Sequence, residues 1–548
     1  MKRALVTLLF FVAAAASTRT ARAGGYFWPD IGTVAMSRGG AFTARADNPT
    51  AIVWNPAGAA FLKGTHIVLN GTIITQSVYF QRRQYWDSSV PSNQYGGRSS
   101  LAGQVMPAIT NNDPLFITPL LAITTDLGIG FLQRHRIRFL IGVYGPNAAP
   151  TRTYPRYCVA GTNPCQATTK DDPNAIASPQ RYETVRAESL ALYPSIGVAW
   201  APIPQLAIGG VLQFGYANLG YSTVVAATIG EDPGQDMDVR IDANTGIQPT
   251  GIVGAMYKPL KWLQIGASLS FAHNFDMKGE VCLGERQSDG TCQPNELAGL
   301  GAISVDPNPG KATLSIPLQW VLRTGIRYIN FDNRDRERFD VELDFVYETT
   351  SRNRGFGLVP GDNPDCPPDG EGKRNCFRVI LPSGQPYAQD IRTTSLTHDW
   401  ANVYSFRLGG SYRFNDLIPQ GVLILRAGAF YESQAVPDEW TRLDFLPLAR
   451  IGVGGGVGVR WRMWEVSVGY QYLHHLPLDV DPPDGSGGCG PLTGTPATNC
   501  GSQTRVVVPI KPGNPTLRFG NVIGNGRYEV HAHTITFGAR VHFGKSSW

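Results

Sequence analysis

Along most of this chain, apolar and polar side chains alternate with a period of two. In residues 340–347, Val341, Leu343, Phe345 and Tyr347 share one face, and Asp340, Glu342 and Asp344 share the other. In 464–472, Trp464, Val466, Val468, Tyr470 and Tyr472 oppose Glu465, Ser467, Gly469 and Gln471. In 534–543, Ile535, Phe537, Ala539, Val541 and Phe543 oppose Thr534, Thr536, Gly538, Arg540 and His542. A strand sends successive side chains to opposite faces, so each stretch reads as a strand with one apolar side. The pattern predicts about fourteen strands, near 65–80, 113–125, 137–148, 181–200, 205–223, 247–259, 261–280, 311–330, 337–352, 397–415, 420–433, 444–461, 463–477 and 526–545.

The connections between them alternate in length. Those at 201–204, 258–261, 331–336 and Arg462 are short; those at 149–180, 281–310, 353–396 and 478–525 are long. Short periplasmic turns, long outer loops and an even strand count are the habit of bacterial outer-membrane barrels. The expected fold is therefore all-β: a transmembrane antiparallel barrel of about fourteen strands.

The N-terminus sets the compartment. Lys2 and Arg3 precede an apolar run over 4–16, and Ala21, Arg22 and Ala23 form a small-x-small cleavage site. This is the layout of a secretory signal peptide over 1–23, too short to span as a helix. Lys2, Arg3, Arg19 and Arg22 account for four of the five net positive charges. The chain beyond the signal is close to neutral, which removes any electrostatic case for nucleic acid. The 62 glycines and 10% aromatics fit a membrane barrel better than soluble domains, and no later apolar run is long enough for a membrane helix.

The eight cysteines fall in four local pairs: Cys158 with Cys165, Cys282 with Cys292, Cys366 with Cys376, and Cys489 with Cys500. Each lies in a segment rich in Pro, Gly, Asp and Asn, which in an exported protein reads as four loop-closing disulfides. No pair has CxxC spacing, so zinc is disfavoured. All four pairs land in expected outer loops, although cysteine position plays no part in placing the strands.

Residues 24–62 do not alternate and contain Pro49 and Pro56, so they cannot belong to the wall. Ile52, Val53, Trp54, Phe61 and Leu62 are too apolar for a solvated tail, which predicts a plug, or hatch, within the barrel formed by 63–548. Here the chain resembles the FadL family of long-chain fatty acid and aromatic-hydrocarbon outer-membrane transporters. The resemblance rests on Arg38, Gly39, Gly40, Ala41 and Phe42, then Asp47, then Asn55, Pro56, Ala57 and Gly58, in the family's order. Further on, Tyr193 to Trp200 is similar to its Pro-Ser-Leu-Ala-Tyr strand, and Leu425 to Tyr431 with Val436 to Glu439 to its Leu-Arg-Ala-Gly and Val-Pro-Asp segments. The likeness spans most of the chain after the signal.

The resemblance implies a fourteen-stranded barrel closed by the hatch, with capture at the loops, transfer to a lumenal pocket, hatch movement and lateral release. It implies a hydrophobic small-molecule ligand, outer-membrane lipid as surroundings and the barrel-assembly machinery as a partner. It also implies a monomer in a Gram-negative outer membrane. The chain departs from the family in running on after Phe543 to Trp548 and in its paired cysteines.

Several residues are candidates for the site. Tyr26, Phe27 and Trp28 sit at the expected hatch tip, where they either contact ligand or pack the plug. Asn55 and Pro56 read as shape-keeping, through an Asn side chain on turn backbone and a fixed φ. Arg323, Arg426 and Arg540 are inward cations that could hold a carboxylate. Their favoured role is to pair with Asp340, Glu342 and Asp344, because buried charges need partners. The inner face of 422–430 carries Val422, Ile424, Arg426, Gly428 and Phe430, a mixture that suits an amphipathic or greasy ligand. His474, His475, His531 and His533 lack a completing ligand for metal. Gly454 to Gly458 lacks the helix of a nucleotide loop and reads as close backbone packing. Neither a cofactor nor a catalytic order of Ser, His and Asp is expected. Alternatives to transport are a surface adhesin or receptor with disulfide-tied loops, and an aqueous porin.

Overall fold

The computed structural model describes residues 30–82, 106–112, 115–145, 151–226, 236–480 with short interruptions, 524 and 526–544. The expected signal peptide, the hatch-tip residues Tyr26, Phe27 and Trp28, and the C-terminal Trp548 lie outside the described residues.

The wall is a closed ring of fourteen antiparallel strands. They are β1 (Thr65–Arg82), β2 (Leu115–Thr125), β3 (Ile137–Tyr144), β4 (Arg186–Ile203), β5 (Leu206–Ala226), β6 (Gln248–Leu260) and β7 (Leu263–Phe271). The second half is β8 (Val321–Phe331), β9 (Glu337–Glu348), β10 (Val403–Ile418), β11 (Gly421–Glu432), β12 (Arg450–Trp461), β13 (Trp464–His475) and β14 (Gly526–Phe543). Each pairs with its neighbour in sequence, and β1 closes on β14 from Thr65↔Phe543 to Arg82↔Gly526. Closure leaves no unpaired edge, which a barrel in lipid requires.

The period of two decides which way each side chain faces. Asp340, Glu342 and Asp344 point inward and are fully buried, while Val341 and Leu343 stand outside. Leu69, Ile117, Ile141, Ile196, Val466 and Phe537 on the outer face are 50–61% exposed, a continuous apolar band that only lipid would cover. Trp200, Tyr257, Trp262, Tyr328, Trp461 and Trp464 are exposed at the short-turn end, where an aromatic girdle meets the membrane interface.

Two expected strands are shorter than predicted. The stretch 261–280 breaks after Phe271, and 311–330 breaks at Pro317, which has no N–H for the ladder. Phe275–Leu283 and Gly310–Ile316 instead join a second sheet on the long-loop end, with Asp236–Asn244, Gly355–Pro360 and Thr394–Thr397. The strands predicted to start at 181, 397 and 444 start at Arg186, Val403 and Arg450. The residues before them fold into a polar cap instead. In that cap Arg181 and Tyr182 hold Asp236 at 2.7 and 2.6 Å, and His398 meets Asp444 at 2.9 Å.

Three of the four expected disulfides are formed. The bonds Cys158–Cys165, Cys282–Cys292 and Cys366–Cys376 close turns of this outer region. The fourth expected pair, Cys489 with Cys500, falls outside the described residues, so its bond stays an expectation from sequence.

Glu183 lies at the centre of the cap, wholly buried, accepting a 2.6 Å hydrogen bond from the Leu443 amide. Burial pushes its carboxyl up to about 8, against the pull of Arg442. A carboxyl raised on folding prefers its proton in the folded state. Its contribution is therefore fully present below its ordinary value, near 4.5, and is lost as pH rises through about 8. Amide hydrogen exchange in the cap is expected to quicken between those limits, and Glu183→Gln should flatten that dependence. An identical slope in the variant would show that another group carries it.

Candidate functional site: the stoppered bore

Residues 30–62 fill the bore. A single-turn helix, Thr33–Met36, packs against β12, β13 and β14, and a 3-10 turn, Pro56–Phe61, against β4, β5 and β6. Between them a second helical turn, Ala51–Trp54, is buried throughout. Pro56 suits the first position of its turn, where no N–H is needed. Asn55 caps that turn by accepting from the Ala57 amide at 3.2 Å. Its side-chain amide also donates to Thr43 O (2.9 Å) in the plug and Ala255 O (3.0 Å) in β6. One side chain thus shapes the plug and ties it to the wall.

The plug sits close because the wall offers it glycines. A methyl group on Gly454 of β12 would lie 2.6 Å from the Met36 carbonyl oxygen, and one on Gly209 of β5 would lie 2.7 Å from the Ala57 nitrogen. Gly409, Gly428, Gly456 and Gly266 meet Arg38, Ser37 and Thr43 in the same way. Gly39 has φ +61°, and an added Cβ would lie 2.6 Å from Ala429 N, so both conformation and space require glycine there.

Charges lock the seat. Arg38, with no exposed surface, reaches Asp340 at 2.8 Å, Glu342 at 3.1 Å and Ser411 at 2.6 Å. Arg45 bridges Asp47 at 2.9 Å and Asp340 at 3.2 Å. The acidic row of β9 also grips plug backbone: Asp344 accepts from Phe42 N (3.0 Å) and Thr43 N (2.9 Å), and Glu342 from Ala44 N (2.7 Å) and Arg45 N (3.1 Å). Four successive amides thus point at two carboxylates. Arg327 holds Asp340 from the wall side at 3.0 Å, and Arg407 pairs with Asp30 and Glu432.

The expected pairing of Arg323, Arg426 and Arg540 with Asp340, Glu342 and Asp344 is not what forms. Arg426 and Arg540 converge instead on Glu465, at 2.6 and 3.1 Å, with Arg460 at 3.0 Å. The acidic row takes plug donors and Arg327 because those lie directly opposite it. Arg323 donates to Ser270 at 3.2 Å and lies 5.5 Å over the Trp54 ring, with no carboxylate in ion-pair range among the described residues. Sequence reasoning does not single out Asp30, Arg45, Arg327 or Arg407. Arg38 and Arg45 in a segment that must be buried are the available signal, since a buried cation implies an acidic partner.

Toward the long-loop end the inward surface carries an apolar patch. Tyr144 and Tyr193 stack at 5.7 Å, and Tyr193 and Phe275 at 6.4 Å. Val211, Ile252 and Ile316 join them in one buried cluster with plug residues Phe42, Ile52 and Trp54. A barrel stoppered by its own N-terminal segment, polar where plug meets wall and aromatic above, has the build of a plugged membrane channel.

Known structures share this fold. Over 95% of this chain and all of the other, the structure superposes on a Pseudomonas aeruginosa FadL homologue with TM-score 0.61 at 14% identity. The Pseudomonas putida toluene transporter TodX matches over 94% of this chain and all of its own (TM-score 0.56, 12% identity). The Ralstonia pickettii toluene transporter TbuX matches over 94% and 99% (TM-score 0.53, 13% identity). No protein-family model and no curated protein sequence matches the chain. The chain has the FadL-family fold.

Proposed function

We propose that the protein is an outer-membrane channel for passive uptake of hydrophobic compounds, long-chain fatty acids or related hydrocarbons, opened by hatch movement and lateral release. The observation that carries this reading is the aromatic and aliphatic cluster around Tyr144, Tyr193 and Phe275, packed with the plug residues Phe42, Ile52 and Trp54. Each CH₂ moved from water into such apolar surroundings gains about 0.8 kcal/mol, so this part of the bore favours greasy molecules. The plug argues against an open aqueous pore. TodX and TbuX are toluene transporters, which supports the same class of cargo here. Within the site, Arg323 is the best-placed cation for a ligand's anionic group, whereas Arg426 is engaged by Glu465 and Ser467. Uptake of labelled oleate and labelled toluene by cells with and without the gene tests the proposal. Gene-dependent uptake of at least one is expected; equal uptake of both in the two strains would overturn it.

A further inference from the structure

A cavity opens at the short-turn mouth of the barrel, where the plug runs into β1. It measures about 810 Å³, within the range of small-molecule sites. Its walls include Phe61, Lys63, Asp126, Arg136, Arg138 and Phe543. The one acid among them is already occupied. Asp126 is 2% exposed and accepts from Gly64 N and Gly128 N at 3.0 Å and from Gln133 at 3.3 Å, with Arg138 3.6 Å away. Arg138 is engaged as well, donating to Leu132 O (3.3 Å), Ile137 O (2.8 Å) and Leu62 O. Neither Lys63 nor Arg136 has an acidic partner among the described residues. The cavity therefore keeps two cations for an outside anion and no carboxylate for an outside cation.

The β2–β3 connection on one side of it is apolar on its outer surface. Leu127, Ile129 and Phe131 there are 58, 47 and 61% exposed, and Phe543 at the end of β14 is 46% exposed. Leu127 and Arg136, near the two ends of this connection, take left-handed backbone with φ 55° and 53°, a conformation unfavourable for side chains of their size. Both line the cavity, so the strain is held where the apolar lip meets the cations. Strand register sets Trp200 beside Ile137 and Trp464 beside Val541. The aromatic girdle of the membrane interface thus flanks the cavity on both sides.

We infer that this cavity seats a resident anionic phospholipid of the periplasmic leaflet, its phosphate held by Lys63 and Arg136 and its acyl chains laid over Leu127, Ile129 and Phe131. A phosphate diester carried on acyl chains supplies both halves of the match, a strong acceptor for the cations and apolar length for the lip. A net-negative headgroup fits and a headgroup bearing an ammonium does not, because Asp126 has no free lone pair facing the cavity to receive one. The lipid is a fixture of the rim: no cargo passes here, and its binding is independent of what the channel carries.

The full-length protein in an uncharged detergent is titrated with dioleoyl phosphatidylglycerol or dioleoyl phosphatidylcholine, with and without inorganic phosphate, and bound lipid is counted by native mass spectrometry. The native chain should retain phosphatidylglycerol with a preference of about tenfold or more over phosphatidylcholine. Lys63→Gln/Arg136→Gln should lose that preference, Lys63→Arg/Arg136→Lys should keep it, and Leu127→Ser/Phe131→Ser should weaken retention of both lipids. Equal retention of the two lipids by the native chain, or an undiminished preference in the Gln variant, would overturn the inference. Displacement of phosphatidylglycerol by inorganic phosphate would reduce the cavity to a bare anion site and overturn it too. Should a variant fail to fold, the native chain's choice between the two lipids decides. Lipid counting reads nothing of uptake, so a failure here leaves the transport proposal standing.

Discussion

Deleting residues 30–60 should turn a closed barrel into an ion-conducting one. These residues fill the bore with almost wholly buried side chains. Without them the inner wall presents Asp340, Glu342, Asp344, Arg327, Arg407 and Arg413 around the vacated space. The groups that lose their plug partners there, Glu342 and Asp344 above all, draw water, because an uncompensated charge in a low-dielectric site costs several kcal/mol. Planar-bilayer recordings should therefore show stable conductance steps for the deletion and none for the full chain. Glu342→Gln with Asp344→Asn keeps the plug but weakens its hold on the Phe42–Arg45 amides, and should give brief, flickering openings. Silent bilayers with the correctly inserted deletion variant would mean that wall side chains alone close the bore.

Glu465→Ala is expected to be the most destabilising single substitution in the wall. Its carboxylate is 6% exposed and meets Arg426, Arg460 and Arg540, three guanidiniums from three strands. Removing one partner of a buried ion pair costs about 3–5 kcal/mol, since the charges left behind are neither hydrated nor neutralised. The urea midpoint of the detergent-solubilised barrel, read from its heat-modifiable gel mobility, should fall markedly. Asp416→Asn is the contrast. Asp416 pairs with Arg334 and Arg336 in the open, 65% exposed, where such pairs contribute about 1 kcal/mol or less. Equal effects from the two substitutions would show that the Glu465 cluster is hydrated rather than sealed.

How much of this can be read along the chain varies with the distance over which each feature is decided. The alternation in 340–347 and 464–472 identifies inward and outward faces because facing depends only on neighbouring residues. The capping bond of Asn55 to the Ala57 amide is legible too, since it follows from local turn chemistry, whereas its bond to the Thr43 carbonyl, made across the plug, is not. Gly454 to Gly458 reads as close packing, yet nothing nearby in sequence says that Met36 and Ser37 are what press upon it. The breaks at Phe271 and Pro317 escape the alternation because the outer sheet continues it; Pro317 marks one of them in the sequence, and only the change of partner reveals the other.

The sequence by itself determines a ring of strands, their order, the apolar band and a segment too irregular for the wall, because each follows from short-range periodicity and backbone chemistry. Only the tertiary structure decides which charges meet. Arg38 and Asp340 are far apart along the chain, and which acid faces which arginine depends on strand register, barrel stagger and the plug's position together. The same holds for the cation-lined mouth, where Lys63, Asp126 and Phe543 become neighbours only once β1 has closed on β14.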